Sequence, residues 1–451
     1  MTIANPTERE ALRAVARTVV TQCPDLQQQA RDIARQLLAR HSLDDDPDQV
    51  HWHRFIDQAN SPLAFSGWVH YQKPIQSLTL VELVVQRFSA EDSEYVDALD
   101  AQSGFYRADA EAEYFDERNE VPILPSEALK LFWSIDLATR FQAQAKAFWS
   151  EHGENYRTLA KARAIAEVVQ AQVHHSLTDT DASFILDALT DSTTPNADVA
   201  MLKTRQVPAS PIGFLRIGQH QAVDILHLLN GQRHYLYLPG EIEPWVACDG
   251  IEGLHWWLLM HCSKADNRAR FVRHFALRSA LAEDGKDPLN HTLDLLYSAW
   301  GTQNRNLLVP VGKPLNEDPF SALQRRVRER MLDDASLKLV SNATLGKQLW
   351  LNYLGAFSRV FGPMAAADWP VALACVIVDS AEVGLHLDLA LDSQKSAERQ
   401  GHYAAAALAC VNLFFDSLTL WSAHEPTHAL PAPCPPAPPS PSLKRCPNAC
   451  T

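Results

Sequence analysis

Apolar positions along this chain fall at helical spacing from its first turns. Leu12, Ala16, Val19 and Val20 share one helical face, and Thr7 with Glu10 fits a capping box that opens the helix. Pro24 breaks that run. A second helix then gathers Leu26, Ala30, Ile33 and Leu37 on one face, and LDDDPDQ at 43–49 reads as a loop. More helices are expected beyond it, broken near 103–107 and at 121–127. Ser126 is the expected cap of a long helix whose Phe132, Trp133, Phe141, Phe148 and Trp149 form an aromatic stripe of core type.

The period changes in the middle of the chain. GFLRIG (213–218), RHYLYLP (233–239) and NLLVPVG (306–312) are short β-type runs bounded by Gly, Asn or Pro, with AVDILHLL (222–229) between the first two. LPGEIEPW (238–245) is a turn-rich connection. Helical patterning resumes through GLHWWLLMHC and ARFVRHFALRSAL, then PFSALQRRVRERMLDDASLKLV (319–340). The arginines of that last helix, Arg325, Arg326, Arg328 and Arg330, spread around it and read as a solvated face. The expected fold is therefore mainly α: multi-helical, with a small β element in the middle and an apolar C-terminal helical hairpin. The expected parts are N-terminal helices (1–60), a helical domain with the β element (61–345), the hairpin region (346–422) and a disordered Pro-rich tail (423–451). The tail is rich in proline and has no aromatic side chain, so it cannot bury enough surface to offset its ordering entropy.

The hairpin poses a membrane question. Trp369 to Val378 is an uncharged apolar run of ten. As helix it spans about 15 Å, half of a hydrocarbon layer of about 30 Å. Tyr403 to Trp421 is nearly long enough and carries one acid, Asp416. Each charged carboxylate at mid-bilayer costs about 2.5–3.5 kcal/mol. Asp379, Glu382, Asp388 and Asp416 are thus the candidate pH-sensing groups: ionised they keep the hairpin in water, protonated they release it. Packing in a soluble core is the expected resting state.

Composition narrows the function classes. The 451 residues carry a formal charge of −14, which argues against nucleic acid as a partner. The start of the chain has no basic region followed by an apolar one, so export without a cleaved signal is expected, with a cytoplasmic location as the alternative. Of eight cysteines, five are scattered singly, the pattern of a reduced protein. His424 to His428 matches the zinc pattern H-E-x-x-H, but Pro426 between the two histidines forbids the helix that the pattern needs. His51 with His53, and His174 with His175, are expected on helices as surface or partly buried residues, and Cys262 as an ordinary buried cysteine. Phosphate loops and the serine-hydrolase elbow are absent from the sequence. No cofactor, metal or catalytic residue is assigned.

Four runs together resemble the dermonecrotic toxin N-terminal domain family. They are VPILPSEALKLFWSIDLATRFQAQAKAFW and its continuation (121–168), IGQHQAVDILHLLNGQRHYLYLPGEIEPW (217–245), GLHWWLLMHC with RARFVRHFAL (253–277), and FSRVFGPMAAADWPVALACVIVDSAEVGLHLDLALDS with AERQ (357–400). The resemblance spans roughly residues 60–422. It implies the front part of a large bacterial toxin or effector, serving delivery without catalysis, with a host-cell surface or membrane as partner. The change of character after Trp421 is expected to mark truncation ahead of an effector domain. The alternatives are a hydrolase-like enzyme with an unrecognised site, or an interaction module of a secreted effector.

Overall fold

The computed structural model describes residues 6–280 apart from 194 and 197, together with 288–298, 307–309, 311, 314–338, 405, 408–409 and 411–421. Two helices open it, α1 (Pro6–Gln22) and α2 (Leu26–Arg40). The break at Pro24 is where the sequence puts it. Asp25 caps α2, its carboxylate accepting the Gln28 backbone N–H at 3.0 Å, and the face Leu26, Ala30, Ile33 and Leu37 is buried. The capping box expected at Thr7 and Glu10 gives way to another arrangement. Thr7 already lies inside the helix, and the Glu10 carboxylate takes Arg17 at 2.9 Å.

Past residue 50 the chain forms strands where helices were expected. They are β1 (His51–Arg54), the two-residue pair β2 (Ala59–Asn60) and β3 (Trp68–Val69), and β4 (Gln76–Thr79). Three short helices follow, α3 (Leu80–Gln86), α4 (Ala90–Glu94) and α5 (Val96–Gln102), then β5 (Ser103–Tyr106) and β6 (Glu120–Val121). The antiparallel sheet has the order β4-β1-β5-β6. HWHR obeys a period of two. Trp52 enters the core shared with α2 and α3, while His53 turns to the opposite face among Phe55, Tyr106 and Phe115. His53 is thus fully buried on a strand, with Nε2 at 2.9 Å from the Ala108 carbonyl, not a helix-surface residue.

The long helix of the sequence reading divides in two, α6 (Pro125–Ile135) and α7 (Leu137–Val173). Pro125 occupies the first position of α6, so Ser126 does not cap it; its backbone N–H bonds the Asp100 carboxylate at 2.8 Å. Asp136 separates the two helices at φ +43° and caps α7 through Thr139. Of the aromatic stripe, Phe132, Phe141, Phe148 and Trp149 are core, and Trp133 is exposed.

After α8 (Asp179–Thr190) and α9 (Val199–Lys203) comes the expected β element: β7 (Ile212–Ile217), β8 (His220–Asn230), β9 (Arg233–Tyr237) and β10 (Trp245–Asp249). Helices α10 (Gly250–Cys262), α11 (Ala265–Arg273) and α12 (Leu289–Ser298) precede β11 (Leu308–Val309) and α13 (Pro319–Lys338). The five strands pair antiparallel in the order β10-β9-β8-β7-β11. One face, with Phe214, Leu226, Tyr235 and Trp245, packs on α7 and α13. The other, with Leu215, Ile225, Leu236 and Val246, packs on α10, α11 and α12. Both faces are covered, so the strands read as continuous apolar runs. The helical segment 411–421 closes the α1–α7 side, with Val411, Phe414, Phe415 and Leu418 buried there.

Candidate functional site

A cluster of buried charged side chains gathers at an irregularity in β8. Phe214 pairs with Leu226, but Arg216 pairs with Gln221, so β8 holds extra residues at this point. The alternation changes phase there. Val223 joins Leu226 and Leu228 on the α7 side, whereas Ala222 and Ile225 face α10. The bulge frees backbone groups, and two basic residues take them. The Val223 N–H donates to the His274 carbonyl at 2.7 Å. Arg326 of α13 donates to the Ala222 carbonyl at 2.8 Å and the Val223 carbonyl at 3.3 Å, its guanidinium 4.5 Å above the Phe214 ring. Arg326 is therefore not part of a solvated face, as the sequence suggested. It is half-buried, and burial lowers its pKa. Arg325 and Arg328 do fit a solvated face: both are exposed, and Arg325 pairs with Glu317 at 2.6 Å.

The bulge also aims Asp224 inward. Its carboxylate meets Nδ1 of His274 at 2.8 Å, and Nε2 of the same ring lies 3.7 Å from Glu241, an ion contact longer than a hydrogen bond. His274 sits just past the end of α11, and Glu241 in the turn after β9, where Gly240 adopts φ +86°. Arg270 of α11 holds the other Glu241 oxygen at 3.2 Å. Burial alone would lower the pKa of His274, but Asp224 and Glu241 outweigh it and push it up to about 9. Burial acts on Glu241 in the raising direction, and His274 and Arg270 hold it below the usual carboxylate range.

An imidazolium clamped between two carboxylates keeps its proton through neutral pH, so it is poorly matched to general-base work there. The Cys262 thiol is pushed up to about 12 by burial. What the cluster does well is tie α11, the bulge and the 238–244 turn into one unit. A second pair bridges β8 and β9. Nε2 of His227 and Nδ1 of His234 are 2.8 Å apart, both rings buried. One N–H donates to one lone pair across that gap. Burial lowers His227 to about 3, helped by His234, and lowers His234 as well.

The residues picked out in the sequence sit elsewhere. Asp416 is exposed and ion-paired with Arg9 at 2.8 Å, on a helix whose apolar face is core. Asp379, Glu382, Asp388 and the His424–His428 pattern lie outside the described residues. His174 and His175 are exposed at the end of α7. Cys262 is buried, as expected. Among the described residues no three His, Cys, Asp or Glu side chains converge as for a metal, and no helix is long and apolar enough to cross a membrane. Asp224, Glu241 and His274 were not legible as a group. The available signal was one acid inside the apolar run AVDILHLL, where a buried carboxylate requires a partner.

Residues 20–278, which contain the bulge, the His227–His234 pair and the Asp224–His274–Glu241 cluster, match the family described as dermonecrotic toxin, N-terminal domain. The chain is also similar to the dermonecrotic toxin of Pasteurella multocida, at 22% identity over 171 residues. That stretch is 37% of this chain and 13% of the toxin. The family match ends at residue 278, ahead of the run at 357–400 that also carried the resemblance.

Proposed function

The chain belongs to the dermonecrotic toxin N-terminal domain family, and from that premise we propose that it is a delivery region of a bacterial toxin. In this reading it is exported, binds a host-cell surface, assists passage of toxin chain across a membrane, and catalyses no reaction itself. The observation that carries the reading is the family match over 20–278, in a domain named for its position at the front of a toxin. The chemistry of the buried clusters supports it. His274 holds a proton it does not release near neutrality, and the Asp224 and Glu241 carboxylates beside it are engaged in holding elements together.

The test is cell binding by the intact chain. Fluorescently labelled protein should bind cultured animal cells saturably in the cold, and a reporter enzyme fused to it should reach the cytosol on warming. A panel of cell types that shows no saturable binding counts against delivery. The competing hydrolase reading has its own readout: turnover of ester or peptide substrates that disappears in His274→Ala would overturn the non-catalytic assignment.

A further inference from the structure

Large apolar side chains crowd the solvent side of one small region. Ile56, Leu63, Phe65, Tyr71, Ile75 and Tyr114 are each between 48 and 72% exposed. They sit on three neighbouring pieces of chain around the β2–β3 pair. His70 and Phe115 exchange both backbone hydrogen bonds, at 2.9 and 3.1 Å. In that antiparallel register Tyr71 falls opposite Tyr114, on the face away from the buried His70 and Phe115 rings. Ile56 follows Phe55, whose ring stacks on His70 at 4.0 Å, and the Ile75 N–H bonds the Arg54 carbonyl at 2.8 Å. A floor of packed aromatic rings thus carries an outer layer of apolar ones.

The layer is held in place. The buried Glu120 carboxylate accepts the backbone N–H groups of Phe65 and Ser66 at 2.7 and 3.0 Å. Ser61 bonds Gly67, and Gly67 bonds Ala64, closing the tip with Gly67 at φ +82°. Leu63 and Phe65 point to water because the backbone beneath them is tied down. Ordered apolar groups facing solvent together mark an interaction surface, and their rigidity removes part of the ordering cost of binding.

Charge selects the occupant. Within 55–75 and 108–119 there are six acids, Asp57, Asp109, Glu111, Glu113, Asp116 and Glu117, against Lys73 and Arg118. Both bases are already matched: Lys73 to Glu111 at 2.6 Å and Arg118 to Asp116 at 2.5 Å. The excess is acid. It repels anionic lipid, and a second copy docking face to face would set acid on acid. We propose that this surface docks a basic protein segment bearing apolar anchors, the anchors meeting Leu63, Phe65 and Tyr71 and the cations meeting the acidic rim. The inference does not depend on the delivery reading: a chain that never entered a cell would still carry this surface.

A fluorescent amphipathic peptide of leucine and lysine is the probe, titrated into the full chain at low and at physiological salt. Binding should weaken with salt, and the double variant Leu63→Ser, Phe65→Ser should lower affinity at least about tenfold. Its melting temperature should not change, and Ile242→Ser, a change to an exposed apolar residue elsewhere, should leave affinity intact. If the loop variant melts early, Tyr71→Ser carries the same expectation. Equal affinity in the variants would overturn the proposal. So would dimerisation or binding to neutral phosphatidylcholine vesicles that the variants abolish, or a photocrosslink from position 65 to residues 339–404 of the same chain.

Discussion

The His227–His234 contact accepts one proton less than two free histidines would. A second proton would place two N–H donors against each other across 2.8 Å inside the sheet. The folded pKa of His227, about 3, lies below the ordinary 6.5, so the unfolded chain binds protons first as pH falls. Stability from this group is complete above pH 6.5 and is lost from there downward. At about pH 5 the loss reaches about 2 kcal/mol. His227→Gln should flatten that acid slope in denaturant titrations, and a slope unchanged from the parent protein would refute the assignment. His274 has the opposite sign. Its folded pKa of about 9 is raised, so its contribution is full below pH 6.5 and fades as pH climbs through 9. His274→Gln should therefore cost most at neutral and acid pH and least in alkali. The same denaturation curves, taken in alkaline buffer, check this.

Segment 411–421 shows how an element can look fit for a membrane and rest in a core. Phe414 and Phe415 are buried against α1 and α7, Gln170 bonds Ser417 at 2.9 Å, and Arg9 and Arg13 reach Asp416 and Asn412 at 2.8 and 2.9 Å. Truncating Phe415 to Ala should cost about 3–5 kcal/mol. Asp416→Asn should cost less than about 1 kcal/mol, because the ion pair is exposed. Thermal melts of the two variants test the ranking, and the reverse order would remove this packing as the source of the segment's stability. Sequence patterning was informative where one period ran long. The buried face of α2, the strands β7 and β9, and α13 all lie where spacing put them. It misled where elements are short or contacts non-local. The pairs β2 and β3 are two residues each and have no period to read. Arg326 looks like any surface arginine until a strand bulge supplies carbonyls from about a hundred residues away. For the candidate cluster, composition hinted only at Asp224, since a turn glutamate and a helix-end histidine become partners only once the sheet has formed.

Across the whole molecule, α7 is the common wall. It meets α1 on one side, α8 and α9 on another, and α13 and the β7–β10 face beyond, and it brings buried charge with it. Arg157 pairs with Asp318 at 3.2 Å and donates to the Lys203 carbonyl at 2.6 Å. Lys161, lowered to about 8 by burial, reaches the Thr204 carbonyl at 3.1 Å, and Arg163 pairs with Glu167. Breaking such a pair leaves an uncompensated ion in the core, so Asp318→Asn should destabilise by about 3–5 kcal/mol. Acid acts beside this wall, where burial holds His227 and His234 uncharged: protonating His227 puts charge inside the sheet and loosens it. The assembly should therefore yield in mild acid, and in the delivery reading proposed above the yielded chain meets a membrane. Vesicles loaded with a self-quenched dye should leak in the presence of the full chain at about pH 5 and stay sealed at about pH 7. His227→Gln should move the onset of leakage to lower pH, because the sheet then survives further into acid. Leakage equal at the two pH values, or an onset that His227→Gln leaves in place, would separate membrane activity from the histidine pair and leave the acid lability a matter of stability alone.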